Sequence, residues 1–483
     1  MIVLWFEATI RRPFKGARCG MASTRLGHRQ VACEIRIRGG CMMKDRLLRR
    51  GACALALALA AGMTLAACAK PAGDVVASYD GVATVLQASL PQKPSVDDYE
   101  AQNAVLDENR LDQSFLDRLS AFSYDSAPVV LADDSKPNEN YSPVSLYYAL
   151  AMTQAGAAGS TQDEIAALLG SPDVAGTARQ CGNLLRLFAA DQHSNVTLAN
   201  SVWMRPDEQF KQGFVDAMRD QFYASLFQTD FGTPEADRAM GQWIADNTQG
   251  TIAPVFKTQE QQLISLINTV YFKSEWAKAF DEKTTESGTF SAKSGDLAAD
   301  FMVQRLDKPQ EIRVTDAYTR ASLDFADGSK MTFVLPSEGS SAPALLGDSA
   351  ALKEAFTAES TGEAFVTYRV PKFAFDSSYD LIPSLEKLGV RTAFSDRADF
   401  SNLTDTPAFV SSVKQESHIG LDENGVEASA YTKVDIMEMS ALPDPALVGE
   451  LDFNLNRPFL YEIRSKQGVV LFVGVCGDPS AAK

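Results

Sequence analysis

Residues 263–280 read LISLINTVYFKSEWAKAF, and this apolar run is typical of a long buried β-strand. Helical patterns dominate before the stretch, whereas strand-like segments separated by turn residues dominate after it. No strand–helix–strand repeat connects the two regions, so a parallel α/β sheet is not indicated. The order of elements therefore predicts an α+β fold, with a continuous globular region that begins at about residue 109.

Several segments upstream have recognisable boundaries. Ser142 and Pro143 precede an Ala-rich helical pattern, and this pair is a good N-cap followed by a good first-turn residue. The pattern of a second helix ends at Gly170, where glycine can adopt the left-handed conformation that terminates helices. Residues 195–206, NVTLANSVWMRP, alternate in polarity as a strand does.

The composition excludes several classes of protein. The chain has 483 residues, of which 45% are hydrophobic and 9% aromatic, so it can bury a large core and is neither disordered nor fibrous. The net charge is −17. A nucleic-acid-binding function is not indicated, because phosphate contacts require clustered Lys and Arg.

The amino-terminal part differs from the rest in charge. Residues 1–67 contain 12 Lys and Arg but three Asp and Glu. From Met42 the sequence reads MMKDRLLRRGACALALALAAGMTLAAC, in which a basic segment precedes a nearly uncharged Ala/Leu stretch. Because this stretch barely reaches the length of a membrane span and ends in small residues, we interpret it as a cleaved signal peptide.

The end of this segment, Leu65-Ala66-Ala67-Cys68, resembles a bacterial lipobox. The resemblance implies lipidation of Cys68, export across the cytoplasmic membrane, and anchoring at the bacterial cell surface or outer membrane; an ordinary secretory signal with a chance Cys is the alternative. We interpret Met42 or Met43 as the true start. The predicted organisation is an upstream extension outside the fold (1–41), a signal peptide (42–67), a lipidated Cys with a flexible tether (68–108), and the globular domain (109–480).

The predicted mature chain offers little for catalysis. Cys181 and Cys476 are its cysteines besides Cys68, and they either form one disulfide or remain two buried thiols. Its histidines, His193 and His418, lie in no ligand-spaced cluster, so neither a metal site nor a catalytic triad is indicated. Nucleotide and dinucleotide fingerprints are absent from the sequence. We predict no cofactor, no metal and no enzymatic activity.

One segment alternates with a period of two residues. From Gly425 the chain reads GVEASAYTKVDIMEMSALPDP, which ends as a loop. In a strand, one face would carry the small or apolar side chains of Val426, Ala428, Ala430, Thr432, Val434 and Ile436. The other face would carry the mostly polar side chains of Glu427, Ser429, Tyr431, Lys433, Asp435 and Met437. Periodicity leaves two interpretations open, namely an ordinary amphipathic strand and a loop that can enter a sheet.

Several separated stretches carry a family resemblance: Asn140–Ser145 with the following helix and Gly156–Thr161, then Asn200–Trp203, Ile267–Trp276, Val370–Phe373 and Asn456–Leu460. In this order they are similar to the serpin family, and the similarity covers about residues 109–480. The resemblance implies a serpin fold with three β-sheets (A, B and C), eight or nine helices and an exposed reactive-centre loop. It also implies inhibition by loop insertion into sheet A after a target protease has cleaved the loop.

The resemblance also assigns roles to residues. It places the scissile bond at Met439–Ser440. Because the run from Ser440 to Asp452 is longer than usual in serpins, this assignment has a range of about one or two residues. The hinge and insertion residues are Gly425, Val426, Glu427, Ala428, Ala430, Thr432 and Val434. The residues of the shutter and breach, where sheet A opens, are Ser142, Ser145, Asn268, Gln415 and Trp276. Gln415 stands where serpins often have His, and we expect it to hydrogen-bond with Ser145 and Asn268.

Three functional hypotheses follow. An inhibitory serpin would trap an elastase-, chymotrypsin- or subtilisin-like serine protease, because an unbranched Met suits a medium apolar pocket. A non-inhibitory serpin would act as a binding module, and an unrecognised hydrolase would depend on His193 or His418. We favour the inhibitory serpin and expect a monomer that binds no nucleic acid and reaches the membrane through its lipid anchor.

Overall fold

The structure is a computed structural model, and it describes residues 2–10, 79–95, 97–133, 135–191, 196–426 and 449–480. These residues form ten α-helices and nineteen β-strands. The helices are α1 Tyr99–Glu108, α2 Gln113–Val130, α3 Pro143–Gly156, α4 Gly159–Leu169, α5 Val174–Ala190, α6 Gln212–Asp220, α7 Pro234–Asn247, α8 Ala342–Leu346, α9 Ser349–Thr357 and α10 Ile382–Lys387.

The strands alternate with helices in the first half of the chain and follow one another in the second. They are β1 Ile2–Ile10, β2 Ala83–Leu86, β3 Asn138–Tyr141, β4 Val196–Met204, β5 Ala224–Gln228, β6 Gln262–Phe272, β7 Ser274–Glu275, β8 Glu286–Ala292, β9 Gly295–Arg305, β10 Gln310–Val314, β11 Tyr318–Asp324, β12 Lys330–Pro336, β13 Gly362–Pro371, β14 Phe373–Asp380, β15 Ala408–Leu421, β16 Gly425–Val426, β17 Gly449–Asn454, β18 Phe459–Arg464 and β19 Val470–Cys476.

Within the described residues these strands form two hydrogen-bonded sheets. The first sheet has the order β2-β5-β4-β6-β1-β15-β16-β7, and β14 also pairs with β15. The second has the order β3-β19-β18-β12-β11-β10-β13-β9-β8, and β17 pairs with β13. Two residue pairs join β10 to β11, so the second sheet consists of two groups with a narrow connection. The first sheet and these two groups correspond to the three predicted sheets, and the described part of residues 109–480 contains nine of the ten helices, in agreement with the predicted eight or nine.

Helix α3 lies between the two sheets and is buried on all sides. It packs against β1 and β6 of the first sheet and against β19 of the second. The Ser142 hydroxyl accepts a hydrogen bond from the Ser145 amide at 3.3 Å, and Pro143 opens the first turn, as the sequence predicted. Because both sheets cover the helix, its residues are apolar all round instead of on one stripe.

Part of the predicted tether is folded. Strand β2 pairs antiparallel with β5 at the edge of the first sheet, and the Asp98 side chain caps helix α1. Tyr79 packs against Trp203 and Phe227 with ring centroids 6.1 and 5.7 Å away. The prediction of a flexible segment over 68–108 is therefore wrong for these elements, because an edge strand needs backbone pairing more than a sustained apolar pattern.

The amino-terminal strand β1 is a second departure from the sequence analysis. Residues 1–41 were predicted to stand outside the fold, yet Ile2–Ile10 form the strand between β6 and β15 in the first sheet. The prediction is therefore wrong for this strand. The signal peptide, Cys68 and the start at Met42 or Met43 lie outside the described residues and stay predictions.

The cysteine alternatives are decided by the structure. Cys181 and Cys476 are both buried and both free. Burial raises the pKa of each thiol above its ordinary value, so both behave as inert apolar side chains. Among the described helices, none combines the length and the apolar character needed to cross a membrane.

Candidate functional site

The candidate site is the end of the first sheet at which β15 finishes and the chain turns back to form β16. Leu421 of β15 pairs with Val426 of β16, and β16 also pairs with β7 through Val426 and Ser274. Val426 is 3% exposed. The first two residues of the predicted insertion segment are therefore already a strand of the sheet, and they run antiparallel to both neighbours.

Gly425 is required here by close packing. Its φ is +151°, a conformation that other residues rarely adopt, and a Cβ would lie 2.1 Å from the carbonyl oxygen of Ser274. The sequence analysis included Gly425 among the hinge residues of the loop. The structure shows the local reason, because only glycine lets β16 approach β7 this closely.

Trp276 secures the turn that precedes Gly425. Its backbone amide donates to the Asn424 carbonyl at 2.9 Å, and its indole Nε1 donates to the Asp422 carbonyl at 3.1 Å. The indole ring stacks on Phe325, with centroids 4.5 Å apart and planes 6° apart. Trp276 therefore fixes the turn that precedes Gly425 through two hydrogen bonds, and its breach role stays a prediction.

Glu423, which the sequence analysis missed, connects the same turn to the second sheet. Its carboxylate lies 2.7 Å from Lys372 Nζ and accepts a hydrogen bond from Thr285 Oγ1 at 2.8 Å, and its side chain is 7% exposed. Burial would raise the pKa of Glu423, but hydrogen bonds from Lys372 and Thr285 outweigh it and lower the pKa below its ordinary value. The signal in the sequence was Lys372, which lies in one of the stretches that resemble serpins.

This carboxylate makes the breach sensitive to acid. Because its pKa is lower in the folded state, its contribution to stability is complete above the ordinary Glu value of 4.5 and is lost as the pH falls through the folded pKa. We expect Glu423→Gln to lower the free energy of unfolding at neutral pH, and the difference from the parent chain to disappear in acid. Urea titrations from about pH 7 to about pH 3 measure this; a difference that stays constant with pH would contradict it.

A buried chain of polar side chains lies in the middle of the first sheet. Ser145 Oγ of α3 donates to Asn268 Oδ1 of β6 at 2.5 Å, and Asn268 Nδ2 donates to Asn200 Oδ1 of β4 at 2.8 Å. Asn200 Nδ2 then donates to the Phe222 carbonyl at 2.7 Å. These hydrogen bonds attach α3 to the sheet, and the shutter role of Ser145 and Asn268 stays a prediction.

Gln415 has other partners than those predicted. Its Oε1 accepts from the Ser142 amide at 3.1 Å and its Nε2 donates to the Ser142 carbonyl at 3.2 Å. The expected hydrogen bonds to Ser145 and Asn268 are therefore wrong. The reason is that Leu4 of β1 pairs with both Asn268 and Gln415, and strands on either side of a third are about 10 Å apart.

The remaining predicted site residues are not all described. Nine of them lie outside the described part of the chain: Glu427, Ala428, Ala430, Thr432, Val434, Met439, Ser440, Cys68 and His193. His418 is described, and its Nδ1 lies 2.7 Å from Asp376 Oδ1 on the neighbouring strand β14. The structure brings Gly425, Val426 and Trp276 together at one end of the first sheet and Ser145 and Asn268 together in its middle.

Comparison with known proteins identifies the family. A model of the serpin (serine protease inhibitor) family matches residues 117–479. The chain belongs to the serpin family. Among curated serpins, alpha-1-antiproteinase S of Cavia porcellus is 28% identical over 379 residues, which cover 75% of this chain and 90% of that protein. This serpin therefore belongs to a family of serine protease inhibitors, and the predicted α+β serpin fold is confirmed.

Solved serpin structures agree on the fold. Tengpin, a thermophilic serpin in its native state, matches this serpin with a TM-score of 0.67 and 21% identity, over 82% of this chain and 99% of tengpin. Human thyroxine-binding globulin, solved in complex with thyroxine, matches with a TM-score of 0.64 and 22% identity, over 76% of this chain and 98% of the globulin. At these identities the likeness shows the shared fold.

Proposed function

We propose that this serpin is inhibitory and traps a serine protease as an acyl-enzyme. In the proposed reaction, the protease serine attacks the Met439 carbonyl, and the bond to Ser440 breaks with release of the Ser440 amine. The loop then enters the first sheet before water can hydrolyse the ester. The proposed partner is an elastase-, chymotrypsin- or subtilisin-like protease, because a Met side chain fits a medium apolar pocket.

The start of β16 is the observation that carries this proposal. Gly425 and Val426 already pair with β7 and β15, so the first two residues of the proposed insertion segment hold the register that an inserted strand would continue. Val426 faces the core, and every second residue from it to Ile436 is small, β-branched or apolar. A strand with this pattern can be buried without leaving a charge on its inner face.

The expected energy of insertion supports an effectively irreversible trap. Six inward side chains contribute roughly 1–2 kcal/mol each when buried, and each ladder hydrogen bond adds about 1 kcal/mol. The sum is on the order of 10 kcal/mol or more. A free-energy difference of this size makes the inserted form strongly preferred over the solvated loop.

We further propose that the mature serpin is anchored at a bacterial membrane through Cys68. The Lys44–Arg50 basic segment, the uncharged stretch after it and the Leu65–Cys68 sequence support this. The anchored form would be a monomer that intercepts proteases near the cell surface. Growth with labelled palmitate, followed by comparison of the parent with Cys68→Ser, tests the anchor; equal labelling of the two would reject it.

The inhibitory function is tested on the chain from Ala69 to Lys483, which retains the whole family match. We expect incubation with elastase, chymotrypsin or subtilisin to yield a band that survives SDS at the summed mass of serpin and protease. The peptide released from the carboxy-terminal side should begin at Ser440, and the cleaved serpin should unfold at a higher temperature than the intact one.

Each alternative gives a different result. A non-inhibitory serpin would be cleaved in the loop without an SDS-stable complex and without a gain in thermal stability. A hydrolase would turn over an ester or peptide, and replacement of either His193 or His418 by alanine would abolish the turnover. A released peptide that begins elsewhere would move the scissile bond while leaving the mechanism in place.

A further inference from the structure

Strand β1 lies between β6 and β15 in the first sheet and separates them. It pairs antiparallel with β15, from Ile2 opposite Ser417 to Ile10 opposite Ala408, and antiparallel with β6 on its other side. Its Leu4, Phe6 and Ala8 are 0%, 3% and 6% exposed. The first sheet is thus closed by a segment that precedes the rest of the fold by more than sixty residues of sequence.

If β16 continued in its present register, the added residues would occupy the position of β1 between β6 and β15. Val426 pairs with Leu421 on one side and with Ser274 on the other. If the strand continues without a bulge, each further residue faces one residue earlier on both neighbours, so Ala430 would face Ser417 and Val270. Ile2 already pairs with Ser417 and Val270. The two neighbouring strands agree, because both place residue 430 where residue 2 lies.

The same register puts matching side chains on the inner face. Leu4 pairs with Gln415 and Asn268, the two residues that Thr432 would face, and Phe6 pairs with Val413 and Leu266, which Val434 would face. Leu4 and Phe6 point to the core, as Val426 does. Between Val426 and Ile2 there is room for three residues, so the loop can enter up to about Ser429 before it meets β1.

We propose that residues 2–10 and the reactive loop from Ala430 onward are alternative occupants of one strand site. This inference rests on the proposed inhibitory function. A chain that holds β1 in the sheet is cleaved by a protease but does not trap it, because the loop cannot insert before the acyl-enzyme is hydrolysed. A chain that starts at Met42, or that has lost its signal peptide, has the site open and traps. Residues 2–10 therefore act as an internal blocking strand.

The test compares three forms of the full chain under one protease. Leu4→Asp places a carboxylate at a fully buried position and should expel β1 from the sheet. Thr9→Asp is the matched control, because Thr9 is partly exposed and a carboxylate at this position of β1 stays in contact with solvent. We expect Leu4→Asp to form at least about tenfold more SDS-stable complex than the parent and Thr9→Asp. Equal trapping by the parent and Leu4→Asp would overturn the proposal.

Two further measurements test the proposal even if the Leu4→Asp variant does not fold. A synthetic peptide of residues 2–10, added to the chain from Ala69, should suppress trapping, whereas the peptide with Leu4→Asp should not. Hydrogen exchange of residues 2–10 in the full chain reads occupancy of the strand site directly, and we expect their amides to be protected in the parent and in Thr9→Asp. Fast exchange of residues 2–10 in the parent would also overturn the proposal.

Failure of the proposed function gives a different pattern. If the chain from Ala69 forms no complex with any protease, the inhibitory function is rejected, and hydrogen exchange still decides whether β1 fills the site. If the full chain and the chain from Ala69 trap equally well, only the exclusion of the loop by β1 is rejected.

Discussion

Replacement of Val426 by arginine is expected to convert the chain from Ala69 from a trap into a substrate. Val426 is 3% exposed, and its side chain lies on the inner face of the sheet at the first step of insertion. An unpaired guanidinium there costs several kcal/mol, and each 1.4 kcal/mol changes a ratio of rates by about tenfold. We therefore expect the fraction of protease trapped per cleavage to fall by about 100-fold or more.

The matched control is Glu427→Arg, which places the same side chain one residue further on, on the face that alternation predicts to be outward. This variant should trap as the parent does. Quantified SDS gels give the ratio of complex to cleaved serpin for each form. Trapping by Val426→Arg at the level of the parent would refute insertion as the mechanism.

Replacement of Asn268 by alanine is expected to give the largest loss of stability at the candidate site. Asn268 is fully buried, and its amide connects Ser145 of α3 with Asn200 of β4. The substitution leaves the Ser145 hydroxyl and the Asn200 oxygen without these partners in a dry interior. Two buried unsatisfied groups cost about 3 kcal/mol in the free energy of unfolding.

Urea titration of the full chain measures this loss as a lower unfolding midpoint. Asn103→Ala, at an exposed position of α1, is the control and should change the free energy of unfolding by less than about 0.5 kcal/mol. Equal midpoints for Asn268→Ala and Asn103→Ala would show that the polar chain through α3, β6 and β4 does not support the sheet.

Local patterns predicted the elements that carry their own signals. The Ser142-Pro143 start of α3 and the Gly170 end of α4 follow from capping and backbone conformation, which act over a few residues. The predicted strand over 263–280 is present as Gln262–Phe272, and the rest of that run forms only the short strand Ser274–Glu275. The order of several separated stretches was enough for the family resemblance. The partners of Gln415 could not be predicted in this way, since they depend on which strand lies between β6 and β15.

The sequence by itself determined the family, the α+β class and the alternation from Val426 onward, and it predicted which residues form the hinge and the shutter. Only the tertiary structure decided that Gly425 is needed for contact with Ser274, that Glu423 joins the turn to Lys372, and that residues 2–10 occupy the centre of a sheet. The physical reason is that periodicity reports which face of a segment is apolar, whereas strand pairing between residues hundreds of positions apart depends on which segments compete for the same backbone hydrogen bonds.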